Sequence, residues 1–337
     1  MSPELVAAGV ALVAVMMYAV FGGADFGGGI WSLLAWGPRR GEQRLALERA
    51  IGPVWETNHV WLILLVVTLF VVFPAAYAVI FEALYVPLFV ALIGIVARGA
   101  AFAFRHYGRR ESGLARQSLQ WFSWASAMTP FTFGLVIGAV TGGQIEVEGT
   151  RVISGPFEGW LRPFSLVCGL IGLLICAFLA AAYMVPRTEG ALREDFRRRA
   201  MAASLALGAV TTIAIPVATL DAKTFAAHLD DGRVVGAMAV TALLGLACLW
   251  ALWARRYRLA PPLAAATVVG VVGAWGLAQE PYLLAEALTY REAAAERITV
   301  VSFLAALPAG ALILVPSLWL LYWTFSRETL RGDEAAH

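Results

Sequence analysis

A carboxylate, an amide and an imidazole lie close together at the start of an apolar stretch of this sequence. Residues 51–65 read IGPVWETNHVWLILL and contain Glu56, Asn58 and His59 between two tryptophans. Such groups are costly in hydrocarbon unless they face protein, a partner or water. A carboxylate held partly away from water can take up and release protons, so this stretch indicates a proton path that includes Glu56.

Two more ionisable groups are predicted at a similar depth. Asp25 lies in FGGADFGGGIW, where Gly23 and Gly27 have the small-xxx-small spacing that lets a neighbouring helix approach closely. At ~1.5 Å per residue, Asp25 lies ~30 Å and Arg98 ~33 Å from the outer starts of their helices. We therefore expect Asp25, Glu56 and Arg98 to lie together near the cytoplasmic edge.

The roles of these groups are open at this stage. Asp25 or Glu56 could neutralise Arg98 and only lock the helix packing. However, Arg98 can neutralise only one of the two acids. Glu56 is the better candidate for a group that exchanges protons. His59 lies one turn along from Glu56 and could relay protons, form a hydrogen bond or bind haem iron.

The remaining polar residues have simpler interpretations. No second histidine lies inside an apolar segment to form a two-histidine haem site, so a hydrogen bond is favoured for His59. Asn58 is expected to form a hydrogen bond between helices, and Trp55 to act as an interface anchor or in packing. The three cysteines lie in apolar segments without a metal-ligand pattern, and neither a metal site nor a catalytic residue is predicted on this chain.

Composition indicates an all-α polytopic membrane protein. Of the 337 residues, 60% are hydrophobic and 14% are charged, whereas soluble domains are about half apolar and about a quarter charged. The net charge of +2 does not suggest a nucleic-acid partner. Nine apolar segments are predicted to cross the lipid bilayer: Glu4–Trp36, Ile51–Phe73, Ala76–Arg105, Ala115–Thr141, Trp160–Val185, Ala200–Leu220, Val234–Ala254, Ala260–Gln279 and Ile298–Phe325.

Basic residues predict the orientation of these segments. Eighteen of the lysines and arginines follow odd-numbered segments and five lie on the other side. Positive charge favours the cytoplasm, so the N-terminus is expected outside and the C-terminus in the cytoplasm. The N-terminus lacks a basic region before its apolar segment and is expected to be an uncleaved first span.

The connections suggest a division of the chain. Residues 1–142 are predicted to form a first four-helix membrane bundle and residues 143–280 a second. Residues 281–337 would comprise an outer loop, a ninth helix and a cytoplasmic tail. Segments 2 and 3 are joined by little more than FPA at residues 73–75, so they are expected to be antiparallel neighbours.

Several motifs resemble subunit II of the cytochrome bd quinol oxidases. FGGADFGGGIW, IGPVWETNHVWLI and YVPLFVALIGIVARGAAFAFR occur in the family's order, and QEPYLL and PSLWLLYWTF agree later in the chain. The resemblance implies two four-helix bundles plus one extra helix in a bacterial cytoplasmic membrane. Glu56, Asp25 and Arg98 match family positions, and Glu56 matches an acid of the family's proton path.

The resemblance also implies partners. The haem-bearing subunit I would hold two haems b and one haem d, oxidise quinol and reduce dioxygen to water. Subunit II would bind no haem, stabilise subunit I and line a proton path from the cytoplasm. Some members of the family hold a structural quinone in this subunit, and a small accessory subunit is a further partner to consider.

One departure from the family concerns proton entry. Some members have an acid in an F-x-[FY]-R block after the equivalent of Arg98, and a lysine shortly after it. Here Ala103 stands inside the block, and His106 and Tyr107 follow it. The entry route therefore cannot be transferred to this chain; His106 or water could substitute, or entry could lie elsewhere.

Two other functions compete with an oxidase subunit. A stand-alone proton-coupled transporter could also use buried acids, but transporters place such groups near the midplane of the membrane. The predicted charges lie toward one face, which counts against this alternative. The third hypothesis is a purely structural scaffold for a haem-bearing partner.

Overall fold

Twelve α-helices make up almost all of the described chain. The computed structural model describes the backbone of residues 2–51, 55–107 and 113–334, and the side chains of 2–50, 58–101 and 117–320. The helices are α1 (Pro3–Leu33), α2 (Arg40–Ile51), α3 (Trp55–Val72), α4 (Pro74–Ala83), α5 (Tyr85–Tyr107), α6 (Gly113–Gly142), α7 (Pro163–Met184), α8 (Gly190–Asp221), α9 (Lys223–His228), α10 (Gly232–Trp253), α11 (Ala260–Gln279) and α12 (Arg297–Glu334).

Two short antiparallel hairpins interrupt the helices. Strand β1 (Val147–Glu148) pairs with β2 (Arg151–Val152) in the connection between α6 and α7. Strand β3 (Tyr282–Leu284) pairs with β4 (Leu288–Thr289) between α11 and α12. Both hairpins lie in connections at the same ends of the helices, as the hydrogen bond from Ala285 N to Val140 O shows.

The helices are long and apolar enough for a multi-pass membrane protein. Within the described residues seven helices meet this criterion, namely α1, α6, α7, α8, α10, α11 and α12, and an eighth span results if α3 and α4 are counted together. Helix α5 is apolar, but the part whose side chains are described, 85–101, is shorter than this criterion requires. The chain is therefore an all-helical, multi-pass membrane protein, and the count of nine spans stays a prediction.

The third apolar segment differs from its predicted form. It is broken into α4 and α5, and α4 is bent by 117° from α3. Pro74 stands at the start of α4, where a fixed φ and a missing N–H favour a new helix over continuation of the old one. In the described part, α5 packs mainly on α6 and α3 mainly on α1, so the predicted antiparallel pairing of segments 2 and 3 is wrong.

Two polar helical regions were not predicted, because apolar length was the criterion for a helix. Helix α2 is highly charged, and α8 begins ten residues before the predicted start of its segment at Ala200. The two regions are joined by Asp195, which accepts hydrogen bonds from Arg39 (2.9 and 2.6 Å) and from Gln43 (3.0 Å).

Glycines bring α1, α6 and α7 into close contact at the centre of the structure. A Cβ atom added to Gly27 would lie 1.9 Å from the carbonyl oxygen of Cys176 in α7. One added to Gly29 would lie 2.2 Å from the side chain of Ser126 in α6. Helices α1 and α7, which were assigned to different bundles, thus pack directly on each other.

Candidate functional site

A group of polar side chains from α1, α3 and α5 lies inside the structure. We call this group the polar cluster. Its described members are Tyr18, Asp25, Asn58, His59 and Arg98. Helix α3 packs on α1, and Arg98 of α5 reaches α1 at Phe26. The sequence predicted four of these five residues, and Tyr18 was missed because it looks like an ordinary core aromatic residue.

Asn58 joins α3 to α1. Its Nδ2 amide donates to Oδ2 of Asp25 and, at 3.4 Å, to the carbonyl oxygen of Phe21. A side-chain amide has two N–H donors, and both are directed to α1 by this arrangement. Asn58 is buried, and it holds the carboxylate of Asp25 toward protein rather than lipid.

Arg98 brings a positive charge into the polar cluster. Its side chain is 2% exposed. The guanidinium carbon lies 4.7 Å from the ring centroid of Phe26 and 5.3 Å from that of Phe122, as expected for a cation held over aromatic faces. Asp25 and Arg98 are also close enough to interact electrostatically.

His59 contacts α1 through Tyr18 and Phe26. The hydroxyl of Tyr18 lies 3.3 Å from Nδ1 of His59, and either atom can donate depending on the tautomer of the imidazole. The imidazole ring also lies edge-on to Phe26, with 6.5 Å between ring centroids. Arg98 and His59 therefore both contact Phe26, the residue of α1 that follows Asp25.

Several predicted residues lie outside the described side chains. Trp55 and Glu56 belong to the first turn of α3, the turn that also holds Asn58, but only their backbone is described. The same applies to Ala103, His106 and Tyr107 in the last part of α5. The geometry of the polar cluster given above is therefore that of its described members.

A second polar arrangement, between α2 and α8, was missed by the sequence analysis. Arg199 is 9% exposed, donates to Oε1 of Gln43 at 2.7 Å and lies over the ring of Trp31 at 5.1 Å. The hydrogen bonds to Asp195 raise the pKa of Arg39. A signal was present, because residues 39 and 43, and residues 195 and 199, are four apart and so share a helix face.

The described residues include no group of three or more histidine, cysteine or acidic side chains that could hold a metal ion. The three cysteines are free thiols. The polar cluster instead combines one carboxylate, one permanent cation and neutral hydrogen-bonding groups. Such a set can bind and pass protons or hold helices together.

Comparison with known proteins gives one consistent result. A family model described as "Cytochrome bd terminal oxidase subunit II" matches residues 3–325. The chain is 27% identical over 238 residues to cytochrome bd ubiquinol oxidase subunit 2 of Bacillus subtilis (strain 168), which covers 68% of this chain and 66% of that protein. It is 29% identical over 203 residues to cytochrome bd-I ubiquinol oxidase subunit 2 of Escherichia coli (strain K12), covering 58% and 52%.

Two further similarities extend over nearly the whole chain. The putative cytochrome bd menaquinol oxidase subunit II of Bacillus subtilis (strain 168) is 22% identical over 333 residues, with 93% of each protein covered. A solved structure of the bd oxidase from Geobacillus thermodenitrificans contains a chain with a TM-score of 0.80 and 22% identity, covering 96% of this chain and 99% of that one. The structural likeness establishes the fold.

Proposed function

The chain belongs to the family of subunit II of the cytochrome bd terminal oxidases, and from this premise we propose that it is the subunit that stabilises a haem-bearing subunit I and provides a proton path to it. Subunit I would hold two haems b and one haem d, oxidise quinol and reduce dioxygen to water. This chain would bind no haem and perform no redox step. The reduction of dioxygen consumes protons, and the proposed task of this chain is to deliver them.

The observation that supports this proposal is the polar cluster itself. Polar groups inside a membrane helix bundle are costly, and they persist mainly where they pair or where protons or ions pass. Here Asp25, Asn58 and Arg98 come from three helices, and two of the three are almost completely buried.

Charge balance gives the members of the polar cluster separate roles. Arginine stays protonated, so Arg98 supplies a fixed positive charge. Asp25 offsets this charge, and the amide of Asn58 holds Asp25 in place without exchanging a proton itself. Glu56, in the same helical turn as Asn58, is then the additional acid, and we propose that it accepts protons on their way through the chain. His59 with Tyr18 would extend the path, and Trp55 would pack or anchor the start of α3.

The position of the cluster disfavours a transporter. Asp25 is followed by only eight residues of α1, which ends at Leu33. At ~1.5 Å per residue, Asp25 lies ~12 Å from the Leu33 end of α1 and much farther from the other end of the helix. Transporter sites lie near the midplane of the membrane. A path serving a partner subunit needs no access to both membrane faces through this chain alone.

The wider arrangement follows the same proposal. Nine spans, with the N-terminus outside and the C-terminus in the cytoplasm of a bacterium, would place the polar cluster near the cytoplasmic face. We propose that residues 1–142 and 143–280 form two four-helix groups and that a ninth helix follows them. Relatives named for ubiquinol and for menaquinol are both similar to this chain, and we propose quinol as the substrate class. A structural quinone and a small accessory subunit are further proposed components.

The decisive test is Glu56→Gln in the complex that co-purifies with this chain. We expect oxygen consumption to fall roughly 100-fold or more, as for the loss of a positioned proton-transfer group, with the visible haem spectrum unchanged. Glu82→Gln is the matched control, because Glu82 is an exposed acid of α4.

Each alternative predicts a different result. Wild-type oxygen consumption and proton uptake in Glu56→Gln would refute the proton path and leave the scaffold hypothesis. Loss of the haem spectrum together with activity would assign Glu56 to assembly. Purification of a haem-free chain with transport activity would favour the transporter.

A further inference from the structure

A cavity lined by arginines lies at one end of the helix bundle, between the start of α8 and the end of α10. Its volume is about 440 Å³, enough for a phosphate group and its substituents. We call it the arginine pocket. It is lined by Gly190, Arg193, Glu194, Arg198, Arg255 and Tyr257.

The arginine pocket has an excess of positive charge. Glu194 is the carboxylate among its described lining residues, and both of its oxygens already accept hydrogen bonds from Arg197, at 2.9 and 2.7 Å. Arg198 approaches this same carboxylate at 3.2 Å and Arg255 at 4.0 Å. One negative charge is thus shared by several guanidinium groups, which leaves the pocket cationic.

The guanidinium groups can still bind an anion. The side chains of Arg198 and Arg255 are 75% and 67% exposed, so they remain accessible to a ligand at the pocket. Arg193 is fixed in the wall by a hydrogen bond of 2.5 Å to the carbonyl oxygen of Thr188 and by stacking on Tyr257 at 5.0 Å. Arginine forks match the oxygens of a phosphate group.

The pocket lies at the depth of lipid headgroups. Trp250 and Trp253, in the last turn of α10, are 55% and 70% exposed. Exposed tryptophans at the end of a spanning helix are typical of the membrane–water interface. The pocket therefore opens beside the interface rather than into bulk water.

An apolar cavity of about 300 Å³ lies in the same region. It is formed by the connection from α7 to α8 and by the start of α11, whereas the arginine pocket is formed by the start of α8 and the connection from α10 to α11. It is lined by Tyr183, Pro186, Arg187, Pro261, Pro262 and Ala265. A cationic pocket with an apolar neighbour fits a molecule that has a phosphate head and a hydrocarbon chain.

We propose that the arginine pocket binds the phosphate of an anionic phospholipid, with part of an acyl chain against the neighbouring apolar cavity. Basic pockets between spanning helices are suited to such headgroups. A free phosphate ion would satisfy the arginines, but it would not use the apolar cavity or the interfacial tryptophans. This site is independent of the proposed proton path, and lipid binding rather than oxidase activity is its readout.

The test compares lipids on the purified full-length chain with any partner that co-purifies. Delipidated protein is titrated with phosphatidylglycerol or phosphatidylcholine of the same acyl chains, and bound lipid is counted by native mass spectrometry. We expect phosphatidylglycerol to be preferred. The double variant Arg198→Gln with Arg255→Gln should bind phosphatidylglycerol roughly 30-fold more weakly. This corresponds to about 2 kcal/mol, at ~1 kcal/mol per basic residue near anionic lipid.

Two further variants make the result specific. Arg198→Lys with Arg255→Lys keeps the charge but loses the paired donors of arginine, so its affinity should lie between those of the wild type and the glutamine pair. Arg151→Gln with Arg291→Gln removes two exposed charges at the other ends of the helices and should bind like the wild type. Equal affinity for both lipids, wild-type binding by the glutamine pair, or an equal loss in the control pair would each overturn the proposal. Displacement of phosphatidylglycerol by inorganic phosphate at equal concentration would overturn the lipid assignment in favour of a free anion.

Discussion

Replacing Gly27 by alanine should push α1 and α7 apart. The added Cβ would lie 1.9 Å from the carbonyl oxygen of Cys176, whereas real Cβ contacts are essentially never under 3.0 Å. The helices must therefore separate by about 1.1 Å at this point, because the obstacle is backbone and cannot rotate away. Overpacking of a tight core costs about 1–3 kcal/mol, and we expect the upper part of that range.

Gly9→Ala is the matched control for this substitution. Gly9 belongs to the same helix α1, and a Cβ there meets nothing within 4 Å. Both variants gain the same preference of alanine for helix, about 1 kcal/mol, so their difference isolates the steric effect. Gly27→Ala should be less stable than Gly9→Ala by about 2–3 kcal/mol.

The buried cysteines provide the assay. Cys176 and Cys248 are buried free thiols and become reactive to a maleimide dye only when the helices separate. Thermal unfolding followed by dye fluorescence should show Gly27→Ala unfolding at a clearly lower temperature, with earlier labelling of Cys176. Identical unfolding curves for the two variants would show that α1 and α7 do not pack as described.

Three further outcomes are expected. Gly94→Ala should lower the free energy of unfolding less than Gly27→Ala, because its Cβ meets a side-chain oxygen of Thr129 that can rotate away. Adding Thr129→Ala should restore stability in the dye assay. Asp221→Asn should lower the free energy of unfolding by about 1.5–3 kcal/mol in the same assay, because the buried Asp221 carboxylate accepts charged hydrogen bonds from Arg162. Hydrogen bonding to Arg233 holds the pKa of Asp231 below the ordinary value of an aspartate, so this cap of α10 is present above that ordinary value and is lost as pH falls through the lowered pKa. In the wild type, backbone hydrogen exchange at the start of α10, corrected for intrinsic exchange, should become faster as pH falls through this pKa. In Asp231→Asn the corrected exchange rate should not depend on pH.

The apolar segments and their polar exceptions could be predicted from sequence, because hydrocarbon imposes simple rules. Long apolar runs must be helices, and a small-xxx-small glycine pair indicates close approach, as Gly27 shows. A hydrogen bond from Asn58 to another helix follows from the same rules, whereas Asp25 as its partner is seen only in the structure. The family followed from the order of the motifs.

Other features depend on tertiary geometry that a linear pattern does not contain. The bend between α3 and α4 and the break at Leu84 between α4 and α5 both lie in apolar sequence. Hydropathy alone therefore does not show them. Tyr18 is indistinguishable in sequence from a packing residue until His59 is placed opposite it. The charged start of α8 needed a search for polar residues four apart, because its partner Gln43 lies about 150 residues earlier in the chain.

The bend between α3 and α4 acts as a lateral spacer. Ten residues of α4 extend ~15 Å, which exceeds the ~10 Å width of a helix. The chain therefore enters α5 displaced sideways from α3, and α3 packs mainly on α1 while α5 packs mainly on α6. This displacement keeps α3 and α5 apart, so Asn58 of α3 and Arg98 of α5 approach α1 as separate partners, at Asp25 and Phe26.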